Sequence, residues 1–267
     1  SIYTASHQME YYSRSDDKLG ALFSESLTLA KLDIENYLNE NNIDVNDVLF
    51  VVFHAGLGQD FSVPFLDPTT NDLKSAYIDN DMLDISNLPT INGVSINRGI
   101  LLPETQNFIF YDVVEDIFGL SDYCGIQVGL TGTFVFLLGY EFKFDSMFLL
   151  DGMAGVGKFG LMDVGWSNQA GIIPPRPNPW TRSNKNDNVY GWVDKENKTQ
   201  ELYSNGELNL DIKVIDDESD QILQFIISDS EYFLLENRSN RLETDDEYAN
   251  MSINDIINYS NSFVLFT

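Results

Sequence analysis

The chain is 267 residues long, with 43% hydrophobic and 13% aromatic residues, enough apolar material for a substantial core in one or two domains. Its 42 Asp and Glu outnumber 15 Lys and Arg, for a net charge of −27. That balance argues against a nucleic-acid footprint and against electrostatic docking on anionic lipid; it fits a solvated acidic surface or divalent-cation binding.

In chain order, residues 1–16 are polar and Tyr-containing and read as a lead-in loop or edge strand. Leu19, Leu22, Phe23, Leu27, Ala30 and Ile34 then recur at helical spacing behind a capping region at Ser15-Asp16-Asp17. Asn39 to Asp44 reads as a turn, and Val48 to Phe53, a continuous apolar run, as a buried strand. His54-Ala55-Gly56-Leu57-Gly58 follows it. A lone His at a strand end is a candidate ligand or general base, but more often it orders its loop by bonding backbone. No phosphate loop is present, since no G-K-[ST] follows these glycines.

Asp67 to Asp72 is expected to cap a short helix, Leu73 to Ile78. The acidic stretch Asn80 to Asn92 reads as exposed loop; Asp79, Asp81 and Asp84 lack the frame of a calcium loop. Val94 to Leu102 predicts a strand or hairpin arm ended by Leu102-Pro103-Glu104. Asn107 to Asp116 fits strand or helix. Cys124 has no neighbouring His to activate it and reads as a buried, inert thiol. A lone Cys also excludes an internal disulfide framework, and no G-x-S-x-G elbow occurs.

A central helix is expected from about Gly132 to Phe144, followed by a glycine-rich connection from Asp151 to Gly160. Its longest apolar run, Phe134 to Leu138, is far too short to span a bilayer. Ser167 to Trp180 is rich in Gly and Pro and reads as a rigid irregular loop pinned by Trp180 and Trp192. Residues 183–206 are polar, a candidate boundary. Beyond it the pattern turns to β: Leu208 to Val214 alternates, and Leu223 to Ser228 and Tyr232 to Glu236 are strand-like. Residues 201–267 hold fifteen acids against three bases, with acidic tips expected at Asp216-Asp217-Glu218 and Asp245-Asp246-Glu247. Phe263 to Thr267 is strand-like. Ser1 is not an initiator Met, and the expectation is that a leader has been removed or that the piece is excised.

Several short pieces keep a common order: Phe53-His54-Ala55-Gly56, Gly58-Gln59-Asp60, Leu102-Pro103-Glu104-Thr105, Gly129-Leu130-Thr131-Gly132, Phe159 to Asp163, Pro174-Pro175 with Trp180-Thr181, Gly191-Trp192, and Glu231 to Arg238. In this order the chain resembles the immune inhibitor A family of secreted zinc metallopeptidases, as a degenerate member. The resemblance implies an α+β, zincin-like domain over residues 1–200, with a mixed sheet and a central helix, followed by a smaller, acidic, β-rich region at 201–267. It also implies export to the medium or cell surface.

An active relative carries H-E-x-x-H, two imidazoles one turn apart binding Zn²⁺ with a Glu that activates water. Here the matching register puts Phe136 and Tyr140 at the ligand positions and Leu137 at the base. The other register, Tyr140-Glu141-Phe142-Lys143-Phe144, keeps a Glu but loses both histidines. With only His7, His54 and Cys124 in the chain, no H-x-x-x-H or C-x-x-C can be assembled. Met162 stands where the turn beneath the metal would be.

The expected function is therefore non-enzymatic: a pseudo-metallopeptidase, structural, self-assembling or binding, with itself or other surface proteins as partner. No catalytic residue and no cofactor is expected. Ca²⁺ is compatible with the acidity, and zinc is not expected. Two rival classes stay open: a divergent peptidase with a metal on His54 or on Asp145, Asp151 and Asp163, and a carbohydrate or peptide binder using Trp166, Trp180 and Trp192.

Overall fold

A computed structural model describes residues 2–61, 71–106, 108–110, 124–126, 128–148, 155–183, 185–186, 189–190, 199–203, 222–228 and 231–238. The chain forms two compact units, Ser1–Phe142 with Met147–Pro175, and Lys143–Ser146 with Arg176–Thr267. The architecture mixes helix with small sheets, an α+β class. Among the described residues, no helix is long and apolar enough to cross a membrane.

The first unit opens with a short helix, α1 (Met9–Tyr12), where a loop or edge strand was expected. Tyr12 is 2% exposed, and its hydroxyl donates to Glu25, so the segment is tied to the next helix rather than to a sheet. That helix, α2 (Asp16–Asn41), follows the apolar periodicity read from the sequence and carries Asp16 and Asp17 in its first turn, where acids suit the positive end of the helix dipole. It runs into the stretch read as a turn. Asn42 ends it in the left-handed conformation, φ 52°, and the Ile43 N–H returns to the Leu38 carbonyl.

The central sheet has the order β1-β5-β2, from β1 (Val51–Leu57), β2 (Ala76–Ile78) and β5 (Gly99–Thr105), with a separate hairpin of β3 (Thr90–Ile91) and β4 (Val94–Ser95). β1 runs parallel to β5, and β2 antiparallel. Side chains on successive strand residues point to opposite faces. Accordingly Leu101, Ala76 and Ile78 pack in one cluster with Leu19, Leu22, Phe23 and Leu27 of α2. Ile100, Leu102 and Tyr77 pack in another with a third helix, α3 (Leu130–Glu141). With a helix on each face, β5 is buried from Gly99 through Pro103.

Several expectations are corrected. β1 starts at Val51 rather than Val48, and it is not fully buried, because Phe53 is 61% exposed on this edge strand. The segment read as a helix over 73–78 is instead a bridge, Leu73 with Gly58, and then β2; pairing with β5 decides it, not local propensity. β5 passes through Pro103, which was read as its end. Proline is tolerated there because β2 pairs only with Gly99 to Leu101 and has stopped before Pro103. α3 begins two residues before Gly132 and stops at Glu141, short of Phe144.

A two-stranded pair, β6 (Phe108–Phe110) with β7 (Cys124–Ile126), settles part of 107–116 as strand; the side chain of Cys124 lies outside the described set. In the second unit, α4 (Pro179–Ser183) occupies the end of the loop expected over 167–180. β8 (Lys185–Asn186) pairs with β9 (Val189–Tyr190). β10 (Thr199–Tyr203), β11 (Ile222–Ile226) and β12 (Tyr232–Leu235) form a sheet in that order, so two of the predicted strands are present. The Leu208–Val214 strand, the acidic tips, residues 263–267, Asp67 and Trp192 lie outside the described residues. The contact division after Pro175 precedes the composition change near residue 200.

Candidate functional site

α3 is apolar nearly all round, as suits a helix covered by sheet and loop. Its first turn is held by the turns at 168–172. Gly129 N–H donates to the Ala170 carbonyl and Gly132 N–H to Gly171. A Cβ on Gly132 would stand 1.9 Å from the Trp166 carbonyl oxygen, so only glycine permits this approach.

Phe136 and Tyr140 lie one turn apart on α3 and share a face. Their rings meet edge to face with centroids 5.2 Å apart. Phe136 also meets Phe148 at 6.4 Å and Trp166 at 5.9 Å, and Tyr140 meets Tyr77 at 6.1 Å. Edge-to-face and tilted contacts at these distances are favourable packing for aromatic quadrupoles. Leu137 is 5% exposed and packs with Ile100 and Leu102 of β5. Neither Phe136 nor Leu137 has a lone pair to offer a metal. The residues at these positions do not fit a zinc site.

In the second register Glu141 would be the retained base. It accepts a hydrogen bond from the Tyr77 hydroxyl at 2.6 Å and an ion-paired one from Arg98 Nε at 2.8 Å. Burial, and then the Glu141 carboxylate, push the Tyr77 phenol well above its usual range. α3 ends at Glu141, and Lys143 takes φ 59°, which breaks the helical spacing between Tyr140 and Phe144. Only the Phe136–Tyr140 register lies wholly on the helix.

Met162 is 1% exposed, and its carbonyl accepts the Met147 N–H at 2.8 Å. Asp163, weighed above as a metal ligand, is fully buried and already committed. Its Oδ2 accepts the N–H groups of Gly155, Val156 and Gly157 at 2.8, 2.6 and 2.8 Å, and its Oδ1 that of Val164 at 2.7 Å. The carboxylate folds the glycine-rich connection onto the turn. Asp145 is exposed, and Asp151 lies outside the described residues. Among the described residues, no group of three His, Cys, Asp or Glu is placed to hold a metal ion.

His54 orders its own loop, as expected: Nδ1 lies 3.0 Å from the Ala55 carbonyl, which fixes the proton on Nδ1 in the neutral ring. Nε2 is buried and has no hydrogen-bond partner among the described residues. Burial pulls the imidazole below its ordinary value, and the Asp60 and Asp72 charges oppose this more weakly.

Two polar networks escaped the sequence reading. Asp60 accepts from Ser75 N–H at 3.1 Å, Ser75 Oγ at 2.6 Å and Gln106 Nε2 at 2.8 Å, and Thr133 Oγ1 of α3 donates to Gln106. In the second unit, Arg182 is fully buried and gives Nη2 to Glu236 at 2.7 Å and Nη1 to the Pro177 carbonyl; Arg238 shares the same Glu236. The sequence signal was the presence of Thr181 and Glu236-Asn237-Arg238 in the ordered pieces, with nothing to say that they meet. Of the tryptophans, Trp166 packs in the first unit, and Trp180, in the second, is 36% exposed.

Compared with protein families, curated proteins and solved structures, the chain matches none.

Proposed function

We propose that this chain is a catalytically inactive, metallopeptidase-like scaffold, exported and used as a structural or binding component. The single observation that carries the reading is the packing of α3. The two positions one turn apart hold aromatic rings packed edge to face, and the position between them is a leucine sealed against β5. The Phe136 ring and the Leu137 side chain have no donor atom, so they pack rather than coordinate. The turn with Met162 and Asp163 beneath is held by backbone hydrogen bonds that need no metal.

The test is elemental analysis of the purified chain after expression with added zinc, together with a casein digest with and without a chelator. The reading expects substoichiometric zinc and no chelator-sensitive cleavage. Stoichiometric zinc with cleavage that stops on chelation would overturn it.

A further inference from the structure

We propose that Glu25 works as an acid-opened clasp, pinning residues 5–12 onto α2 while it is charged and letting them open when it is protonated. The rest of the first unit stays folded, and the apolar surface under this arc is uncovered. The device shares no residue with the α3 aromatic cluster and goes beyond the inactive-scaffold reading. One carboxylate holds both ends of the arc. Glu25 Oε1 accepts the Ser6 N–H at 2.6 Å, and Oε2 accepts the Tyr12 hydroxyl. Just upstream, Tyr3 gives its hydroxyl to Asp33, a second carboxylate of α2, at 2.5 Å. Hydrogen bonds to charged acceptors are about twice as strong as neutral ones, so this attachment depends on ionisation.

The arc cannot hold itself. Its only helix, α1, is 4 residues long, and Gln8 before it makes no side-chain cap, so it is too short to stand alone. Ala5, Met9 and Tyr11 rest on the core cluster, and Met9 Cε comes 3.5 Å from where a Cβ on Gly56 of β1 would stand. α2 itself is seated on the sheet through Leu19, Phe23 and Leu27, beside Ile78 and Leu101, and keeps its place when the arc opens.

The titratable groups that face Glu25 are Tyr12 and His7, both on the arc. The His7 ring lies against Tyr11 with centroids 4.0 Å apart, and its Nδ1 is 2.8 Å from Ser6 Oγ. One turn to either side on α2, Ala21, Leu22, Thr28 and Leu29 carry no charge. The strands packed on α2 meet it through Ala76, Ile78, Ile91 and Leu101. Farther out, Lys18 stands over the Tyr11 ring and pairs with Asp17, and Arg14 pairs with Glu10. Burial alone would raise the Glu25 carboxyl; the bonds from Tyr12 and Ser6, and then the His7 charge, outweigh it and hold the group below its ordinary 4.5. With the folded value depressed, the clasp is fully present above 4.5 and is lost as the pH falls through the folded value. Burial, and then the Glu25 bond, push the Tyr12 phenol up, so it stays a donor throughout.

The test is amide hydrogen exchange of the whole chain, read by mass spectrometry on peptic fragments and corrected for the intrinsic effect of pH. Between neutral pH and about pH 3, the fragment holding residues 5–13 should lose protection at least about tenfold, while fragments from α2 and β5 keep theirs. Glu25→Gln keeps the shape and removes the charge; it should open the arc at neutral pH and abolish the pH dependence. Tyr12→Phe keeps the ring and removes one bond, so its transition should move to higher pH. Glu10→Gln, on the arc but paired with Arg14, should follow the parent profile. The α2 and β5 fragments report in the same run that each variant is folded. Arc and core losing protection together in the parent would mean acid unfolding and would overturn the proposal. So would a closed arc in Glu25→Gln at neutral pH, or an equal opening in Glu10→Gln.

Discussion

Replacing Asp163 with alanine separates a structural carboxylate from a ligand. The side chain is fully buried and receives four backbone N–H groups, three of them on the consecutive residues Gly155, Val156 and Gly157. Hydrogen bonds to a charged group contribute on the order of 1.5–3 kcal/mol each, and the four together would suggest a very large loss. The sum is not realised, because Gly155 and Val156 are exposed and water reaches their N–H groups once the loop opens. The Val164 bond and the closure of the 155–157 loop remain at stake, so a loss of roughly 3 kcal/mol is expected. The measurement is a urea titration followed by tryptophan fluorescence, which includes Trp166 against Phe136. Asp145→Ala, at an exposed position, is the control and should stay within about 0.5 kcal/mol of the parent. Chelator should change neither protein. An Asp163→Ala midpoint equal to that of the control would refute the argument, and a chelator-dependent midpoint in the parent would return Asp163 to the list of ligands.

Gly132→Ala and Gly20→Ala should each destabilise the chain by about 1–3 kcal/mol in the same titration. Helix propensity alone predicts the opposite sign, a gain of up to ~1 kcal/mol; the Cβ atoms, however, would lie 1.9 Å from the Trp166 and Met82 carbonyl oxygens, and backbone must move. His54 is held below its ordinary value of 6.5 by burial, so on acidification the unfolded chain binds a proton first. Its contribution is present above about pH 6.5 and is lost as the pH falls through the folded value; His54→Asn should flatten that slope, and an unchanged profile would count against it. Phe136→His with Tyr140→His, an imidazole pair one helical turn apart, should take up Co²⁺ with a visible absorption band but leave casein intact. No band would mean that an imidazole pair on this face of α3 does not hold the metal.

The long helix α2 was legible because its apolar residues recur at helical spacing behind Ser15 and two acids, signals that are local. Its end was misplaced because Asn39 to Asn41 carry turn residues, yet the left-handed stop is Asn42. β2 was not legible. Ala76 to Ile78 is too short for a pattern, and only pairing with Gly99 to Leu101 makes it a strand. Pro103 misled for the related reason that a proline is read as a strand end, whereas β5 has lost its β2 neighbour by that point. The aromatic face of α3 was readable as composition and spacing. The committed state of Asp163 was not, since its donors come from a glycine-rich connection whose path follows from that carboxylate. Arg182 and Glu236 are 54 residues apart, beyond any local signal.

The position between the two rings constrains the proposed history of the scaffold more tightly than the rings do. A histidine can replace Phe136 or Tyr140 at the edge of the cluster, where both side chains are only partly buried. Leu137 has no such freedom, because it is 5% exposed and seated on Ile100 and Leu102, the residues that join α3 to the sheet. A glutamate there would be buried among apolar side chains, at a cost of several kcal/mol or with its charge suppressed. On the proposed reading, histidines in place of Phe136 and Tyr140 would thus supply metal ligands without supplying a base. A carboxylate base in place of Leu137 would, on the same reading, require α3 to sit differently on β5, and the rings of Phe136, Tyr140 and Trp166 hold it where the leucine packs.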